Sequence, residues 1–181
     1  MNKLNLYLNR MQAIDGAVCV RVSHTNQYRI IRDVFRAASR LGDGVFWYVL
    51  MIAIVVTQQS EGVLPALHMV LAGLTGTIIY KWLKKKTLRP RPFQVRQDVW
   101  VVGKPLDHFS FPSGHTLHAV VFGLVAMSYY PSLAVILIPF MLLVAMSRVI
   151  LGLHYPSDVF AGATIGYLIA QLSYLIKDYL F

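Results

Sequence analysis

His115 follows Pro112-Ser113-Gly114, and His154 stands four residues before Asp158 in the stretch LGLHYPSD. A histidine beside a carboxylate makes a nucleophile, because the carboxylate fixes the ring tautomer and steadies the imidazolium. Pro156 breaks the chain between the two, which predicts His154 in a loop and Asp158 in the first turn of a helix. A second histidine can then act as general acid and afterwards as base. Lys84, Arg91 and Arg148 offer charge-assisted hydrogen bonds to phosphate oxygens, with arginine able to bind bidentately. Ser113 and Gly114, at the start of an apolar helix, offer backbone N–H groups and the positive end of its dipole; lacking a Cβ, Gly114 lets an anion come close. Singly, each cluster has a plain structural explanation. A basic run beside a span anchors to headgroups, Pro112-Ser113-Gly114 starts a helix, and Pro156-Ser157-Asp158 starts another. Together they describe a phosphate site with a nucleophile and an acid–base group.

The elements that must hold these residues are membrane spans. Apolar residues make up 56% of the 181 and charged ones 14%, against roughly 25% charged in soluble domains. Val63–Tyr80 and Val159–Ile176 are each 18 residues without a formal charge, the length of a transmembrane helix. Val45–Thr57, Thr116–Tyr130 and Leu133–Met146 are shorter and reach span length with their uncharged neighbours. The expected fold is all-α: a transmembrane helix bundle of about five spans, preceded by an amphipathic helix in residues 1–43 that lies at the membrane surface. The whole of residues 1–181 reads as one membrane-embedded domain, with the chemistry confined to residues 84–158. A polar loop is expected from Lys81 to Pro112, punctuated by prolines 90, 92 and 105, and a shorter one from Ser147 to Asp158. Counting spans puts both loops on one membrane face. Cys19, the single cysteine, excludes an intramolecular disulfide and a cysteine zinc site. The net charge of +9 sits beside spans without a nucleic-acid-binding motif, so anionic lipid is the expected partner and nucleic acid is not.

K-x6-R-P (Lys84, Arg91, Pro92), P-S-G-H (Pro112 to His115) and S-R-x5-H-x3-D (Ser147, Arg148, His154, Asp158) resemble, in order and spacing, the three signature motifs of the type-2 phosphatidic acid phosphatase superfamily. The resemblance implies a membrane lipid phosphatase in which His154 attacks phosphorus, Asp158 orients it, and His115 protonates the leaving alkoxide and then activates water. Lys84, Arg91, Ser113, Gly114 and Arg148 would bind the phosphoryl oxygens. No metal and no other cofactor is implied, and Asp98, Asp107 and Asp158 are too scattered for a two-metal site. The substrate would be phosphatidate, phosphatidylglycerophosphate, a polyprenyl phosphate or diphosphate, or a glycolipid phosphate, since the motifs read the phosphate and not the tail. Nothing in the sequence sets the oligomeric state. Vanadate haloperoxidases share such residues but are large soluble proteins. A non-enzymatic binder of anionic lipid would use the three cations and have no need of two histidines.

Against the common six-span layout of that superfamily, the chain is expected to lack the first span and to begin instead with the basic amphipathic segment. Relatives place the site on the extracytoplasmic face of the cell (inner) membrane, and that habit is given the greater weight here. The charge tally opposes it: 16 of the 17 Lys/Arg fall on the catalytic face, seven of them in residues 1–43, with only Lys177 opposite. Of the remaining polar residues, His118 either lines the pocket or packs between helices, and His68 is expected to hydrogen-bond between helices. Gly162 and Gly166 are expected to pack closely within the bundle. Asp107 and His108, just before the P-S-G-H run, read first as ordinary loop residues, with contact to substrate as the alternative.

Overall fold

Backbone in lipid has no water to bond, so a spanning segment must satisfy its own N–H and C=O groups as a helix. The computed structural model describes residues 3–105 and 107–180, and among them there is no strand. Eight α-helices follow one another: α1 (Lys3–Ser23), α2 (Arg29–Arg40), α3 (Phe46–Gln58), α4 (Ser60–Thr87), the short α5 (Pro92–Val95), α6 (Gly114–Tyr129), α7 (Ala134–Ile150) and α8 (Pro156–Leu180). The five expected spans correspond to α3, α4, α6, α7 and α8. Three stretches, Arg29–Gln58, Ser60–Val95 and Pro131–Ile150, are long and apolar enough to cross a membrane by length and composition. Lys177, the one cation expected on the far face, lies outside the residues whose side chains are described.

At the centre stands α6, which packs against α4, α7 and α8. Leu117, Val121 and Val125 of α6 are wholly buried against Met69, Leu137 and Val144. Outward-facing Ile52, Ile78, Val135 and Leu172 are exposed, as side chains facing lipid tails should be. Because lipid is as apolar as the bundle interior, helix association here rests on close fit. Gly162 and Gly166 of α8 supply it. A Cβ on Gly162 would sit 2.5 Å from the Ser113 carbonyl oxygen, and one on Gly166 would sit 2.6 Å from that of Leu117. The expected close packing therefore falls on the first turns of α6, where the site begins. His68 joins α4 to α6 through Tyr129 at 3.0 Å, the interhelical bond its place in a span suggested.

Two boundaries differ from the sequence reading. The polar segment was expected from Lys81, yet α4 continues to Thr87 and stops where Leu88 turns left-handed at φ 48° ahead of Pro90 and Pro92. Lysine is a good helix former and its stem lies along apolar surface, so charge did not end the helix. Within the basic segment the described residues form two helices, α1 and α2, and these are tied to the bundle end. Asn26 donates to the Ile150 carbonyl at 2.7 Å, satisfying one of the terminal carbonyls of α7. Ser23 Oγ accepts the Trp100 N–H at 3.1 Å. Asp15 and Cys19 are buried. From α2 the chain passes into α3 through a single wide turn, Leu41–Val45.

Candidate active site

Lys84 stands on the last turns of α4, almost wholly buried. Its ammonium donates to the Phe109 carbonyl at 2.7 Å and to Asp107 Oδ1 at 3.0 Å. Past the left-handed Leu88, the two prolines hold Arg89 to Arg91 extended, and Gln94 accepts the Arg91 N–H at 2.8 Å to start α5. That places the Arg91 guanidinium inside the bundle end. It donates to the Leu153 carbonyl at 2.7 Å, to Asp107 Oδ1 at 2.8 Å, and to His154 Nε2 at 3.2 Å.

The last contact fixes the histidine. A guanidinium has no acceptor, so Nε2 of His154 must present its lone pair to Arg91 and the ring proton must sit on Nδ1. His154 lies in the loop after α7, buried, with its Nδ1 3.6 Å from Asp158 Oδ2. That is an ion-pair distance and not the hydrogen bond expected of an orienting carboxylate. Asp158 is occupied elsewhere: Oδ2 accepts from Ser110 Oγ and from the Tyr155 N–H at 2.9 Å, and Oδ1 from Arg89 at 2.6 Å. Burial, reinforced by Arg148, Arg91 and Lys84 nearby, pushes the imidazole well below its ordinary range. His154 is therefore a neutral ring at physiological pH with its Nε2 lone pair directed at a cation.

Arg148, in the last turn of α7, is buried and donates to Ser39 Oγ of α2. Its Nε and the Nδ1 of His154 have no hydrogen-bond partner among the described residues. Buried donors are rarely left so: an anionic ligand in the cavity would satisfy Arg148 Nε, while the Nδ1–H of His154 faces Asp158. His115, on the first turn of α6, meets Asp43 through Nε2. Lys84, Arg91, Arg148, His115, His154 and Gly114 line one cavity of about 160 Å³, together with Gly42, Asp43, Tyr80, Asp107 and His118. The motifs thus converge, 84 through 154. Ser113 does not line it. It is fully buried, its hydroxyl pairs with Thr116 at 3.0 Å, and its N–H is taken by the Asp158 carbonyl. His118 both lines the cavity and bonds Thr77 of α4 at 3.0 Å. His108 is exposed, whereas Asp107 is held on Lys84 and Arg91.

Sequence reasoning missed four groups. Arg89 bridges Asp158 to Asp15, donating to the latter at 2.8 Å, and its doublet with Arg91 in RPRP was the available signal. Asp15 also accepts from the backbone N–H of Ser157 at 3.1 Å, and is the only acid in the first 32 residues. Asp43 sits between two glycines at the mouth of a span. Ser110 carried no signal.

A membrane bundle that gathers three cations and two histidines around one buried cavity, with a neutral imidazole facing an arginine, is built for phosphoryl transfer. Residues 65–181 match the family model of the PAP2 superfamily, and the chain belongs to that superfamily. It is an integral membrane lipid phosphatase, a hydrolase. Among curated relatives, the bacitracin transport permease protein BcrC of Bacillus licheniformis is 28% identical over 155 residues, covering 79% of this chain and 75% of that one. Undecaprenyl-diphosphatase BcrC of Bacillus subtilis (strain 168) is 26% identical over 136 residues, covering 75% and 70%. Of solved structures, a transmembrane PAP2 type phosphatidylglycerolphosphate phosphatase from Bacillus subtilis superposes with a TM-score of 0.77 at 26% identity, covering 96% of this chain and 89% of that one. Aquifex aeolicus LpxE superposes at 0.73 with 27% identity, covering 86% and 92%.

Proposed function

We propose that the protein removes a phosphoryl group from a lipid phosphate or diphosphate through a phosphohistidine on His154. The observation that carries this is the Nε2 lone pair of His154, held toward Arg91 in a cavity whose other walls include Lys84, Arg148 and His115. Nε2 attacks phosphorus. Lys84, Arg91, Arg148 and the N-terminus of α6 at Gly114 hold the phosphoryl oxygens as charge shifts among them. His115 gives its proton to the leaving oxygen and then takes one from the water that releases phosphate.

A groove of about 230 Å³ between α3 and α4 adjoins the cavity and shares Gly42, Asp43 and His118 with it. Trp47, Met51, Val70, Leu74 and Phe122 line it. It suits a hydrocarbon tail, acyl or isoprenoid, leading away from the phosphate. The activities named for the relatives, on undecaprenyl diphosphate and phosphatidylglycerophosphate, support both tail types and both a diphosphate and a monophosphate. Phosphate release by purified protein in detergent, with chelator present, across those two lipids and phosphatidate tests the reading. Release from none of them would refute it.

We place the site on the extracytoplasmic face. The opposing charge tally weakens once Lys84, Arg89, Arg91 and Arg148 are set aside, because these are engaged in or beside the site and would be basic on either face. Exposed Arg29 opens α2 just after Asn26, which bonds the Ile150 carbonyl at the site end of α7, so it lies on the same face as the site. Cys19 is buried, and burial, then the nearby Asp15 and Asp158, push its thiol up to about 12, so it should be silent to labels. An Arg29→Cys protein in intact cells should react with a membrane-impermeant maleimide. Protection until lysis would reverse the orientation.

A further inference from the structure

Asp43 lies outside the stretch that matches the superfamily and outside its three motifs, yet it reaches the acid–base histidine. The turn that carries it is shaped to bring it there. Gly44 takes φ 137°, which side chains rarely adopt, and a Cβ on Gly42 would meet Val144 at 2.9 Å. A glycine on each side thus lets the turn between α2 and α3 bring its one acid, still exposed, against His115. An ionised carboxylate only accepts, so the proton between Asp43 and His115 belongs to Nε2 of the ring.

Resting on the phosphohistidine reading above, we propose that Asp43 is the positioning residue of His115: it holds Nε2–H and leaves Nδ1 as the atom that exchanges protons with substrate and water. In the first half, Nε2 of His154 bonds to phosphorus while the bond from phosphorus to the lipid oxygen breaks. The electron pair stays on that oxygen, which takes the proton of His115 Nδ1. In the second half, Nδ1 takes a proton from water, the water oxygen bonds to phosphorus, and the P–N pair returns to His154.

Two features support the assignment. Asp43 and Gly42 belong both to the cavity and to the apolar groove, so this dyad stands where a phosphate joins its tail, at the leaving oxygen. Three cations line the same cavity, so a protonated His115 needs an adjacent anion. The other carboxylate there, Asp107, is already held by Lys84 and Arg91. Asp43 supplies the counter-charge.

The test is a leaving-group comparison on the purified protein. Octyl phosphate must leave as an alkoxide and needs the proton; p-nitrophenyl phosphate leaves as a stable phenolate and does not. Asp43→Asn should lower kcat/KM for octyl phosphate by about 10²-fold, the scale of general acid catalysis, and for the aryl ester by less than about fivefold. Asp43→Glu, which keeps a carboxylate, should recover part of the alkyl activity. The same skew in His115→Ala, with no further loss in the double variant, completes the signature. Equal losses on both esters in Asp43→Asn and Asp43→Glu would mark a merely structural role and overturn the proposal, as would undiminished alkyl activity in Asp43→Asn. Failure of the underlying reading looks different: His154→Ala would then hydrolyse both esters at the wild-type rate, and the proposal would fall with it.

Discussion

Replacing Asp107 with asparagine should make the protein bind vanadate and inorganic phosphate more tightly, because a phosphoryl oxygen and this carboxylate need the same two cations. Asp107 Oδ1 lies 3.0 Å from Lys84 Nζ and 2.8 Å from Arg91 Nη2. The cations are 6% and 2% exposed, but the carboxylate is 38% exposed, so solvent screening keeps the pairs close to surface behaviour. Surface pairs are worth about 0.2–1 kcal/mol and buried hydrogen bonds to charge about 1.5–3, so roughly 0.7 kcal/mol for each is a fair weight here. Displacing both then costs an incoming anion about 1.4 kcal/mol, or about tenfold in affinity. Burial alone would push the Asp107 carboxyl up, but Lys84 and Arg91 outweigh it and hold it below the usual carboxylate range. Its competing charge is therefore present above the ordinary carboxylate value of about 4 and is lost only as pH falls through the lower folded value. Inhibition of phosphate release by vanadate, titrated for both proteins between pH 5 and 8, reads the difference directly. A weaker inhibition constant in Asp107→Asn would show that the carboxylate aligns the cations for phosphate and does not compete with it.

His154→Ala should abolish turnover by several orders of magnitude while vanadate still binds, and the wild type should yield an acid-labile phosphoenzyme on rapid quench. Since burial and three cations depress the His154 imidazole, the nucleophile stays neutral in mild acid; the acidic limb of kcat/KM due to it should lie well under pH 6.5. Chelator should leave the rate unchanged in a phosphate-release assay; loss restored by magnesium would contradict the site. Arg89→Ala strips the buried Asp15 and Asp158 of their shared cation, and should destabilise the protein by about 3–5 kcal/mol and lower its thermal midpoint in detergent. Gly73→Leu, whose Cβ would start 2.5 Å from the Phe122 ring at the groove, should slow long-chain lipids far more than octyl phosphate.

The helices and the three motifs could be read from sequence because both signals are local. Apolar runs mark spans, and the spacings of Lys84 with Arg91 and of Arg148 with His154 lie within single loops or helix ends. What could not be read is long in sequence and short in space. Asp43 meets His115 across 72 residues and Arg89 meets Asp15 across 74, and no periodicity carries such pairs. The end of α4 was misplaced for a different reason. Charge predicts a boundary at Lys81, whereas backbone conformation at Leu88 and the two prolines set it seven residues later. Ser113 was expected at the phosphate by its place in the run, but Thr116 one turn on and the Asp158 carbonyl already use its hydroxyl and N–H. Side-chain competition of that kind is visible only in three dimensions.

The clasp between α1 and the far end of the chain bears on how the molecule is made. Asp15 is held by Ser157, Cys19 by the His154 carbonyl and Asn26 by that of Ile150, across 142, 135 and 124 residues. At about 5–20 residues per second, a ribosome delivers those partners about 6–28 seconds after α1 has emerged. During that interval Asp15 has only Arg89 to pair with, and Cys19 lacks the carbonyl it donates to. The last part of the clasp, Ser157 on Asp15, forms only when α8 has begun. A chain halted before Pro156 would hold every phosphate-binding cation and both histidines, yet lack Asp158 and Ser157, the partners of Arg89 and Asp15.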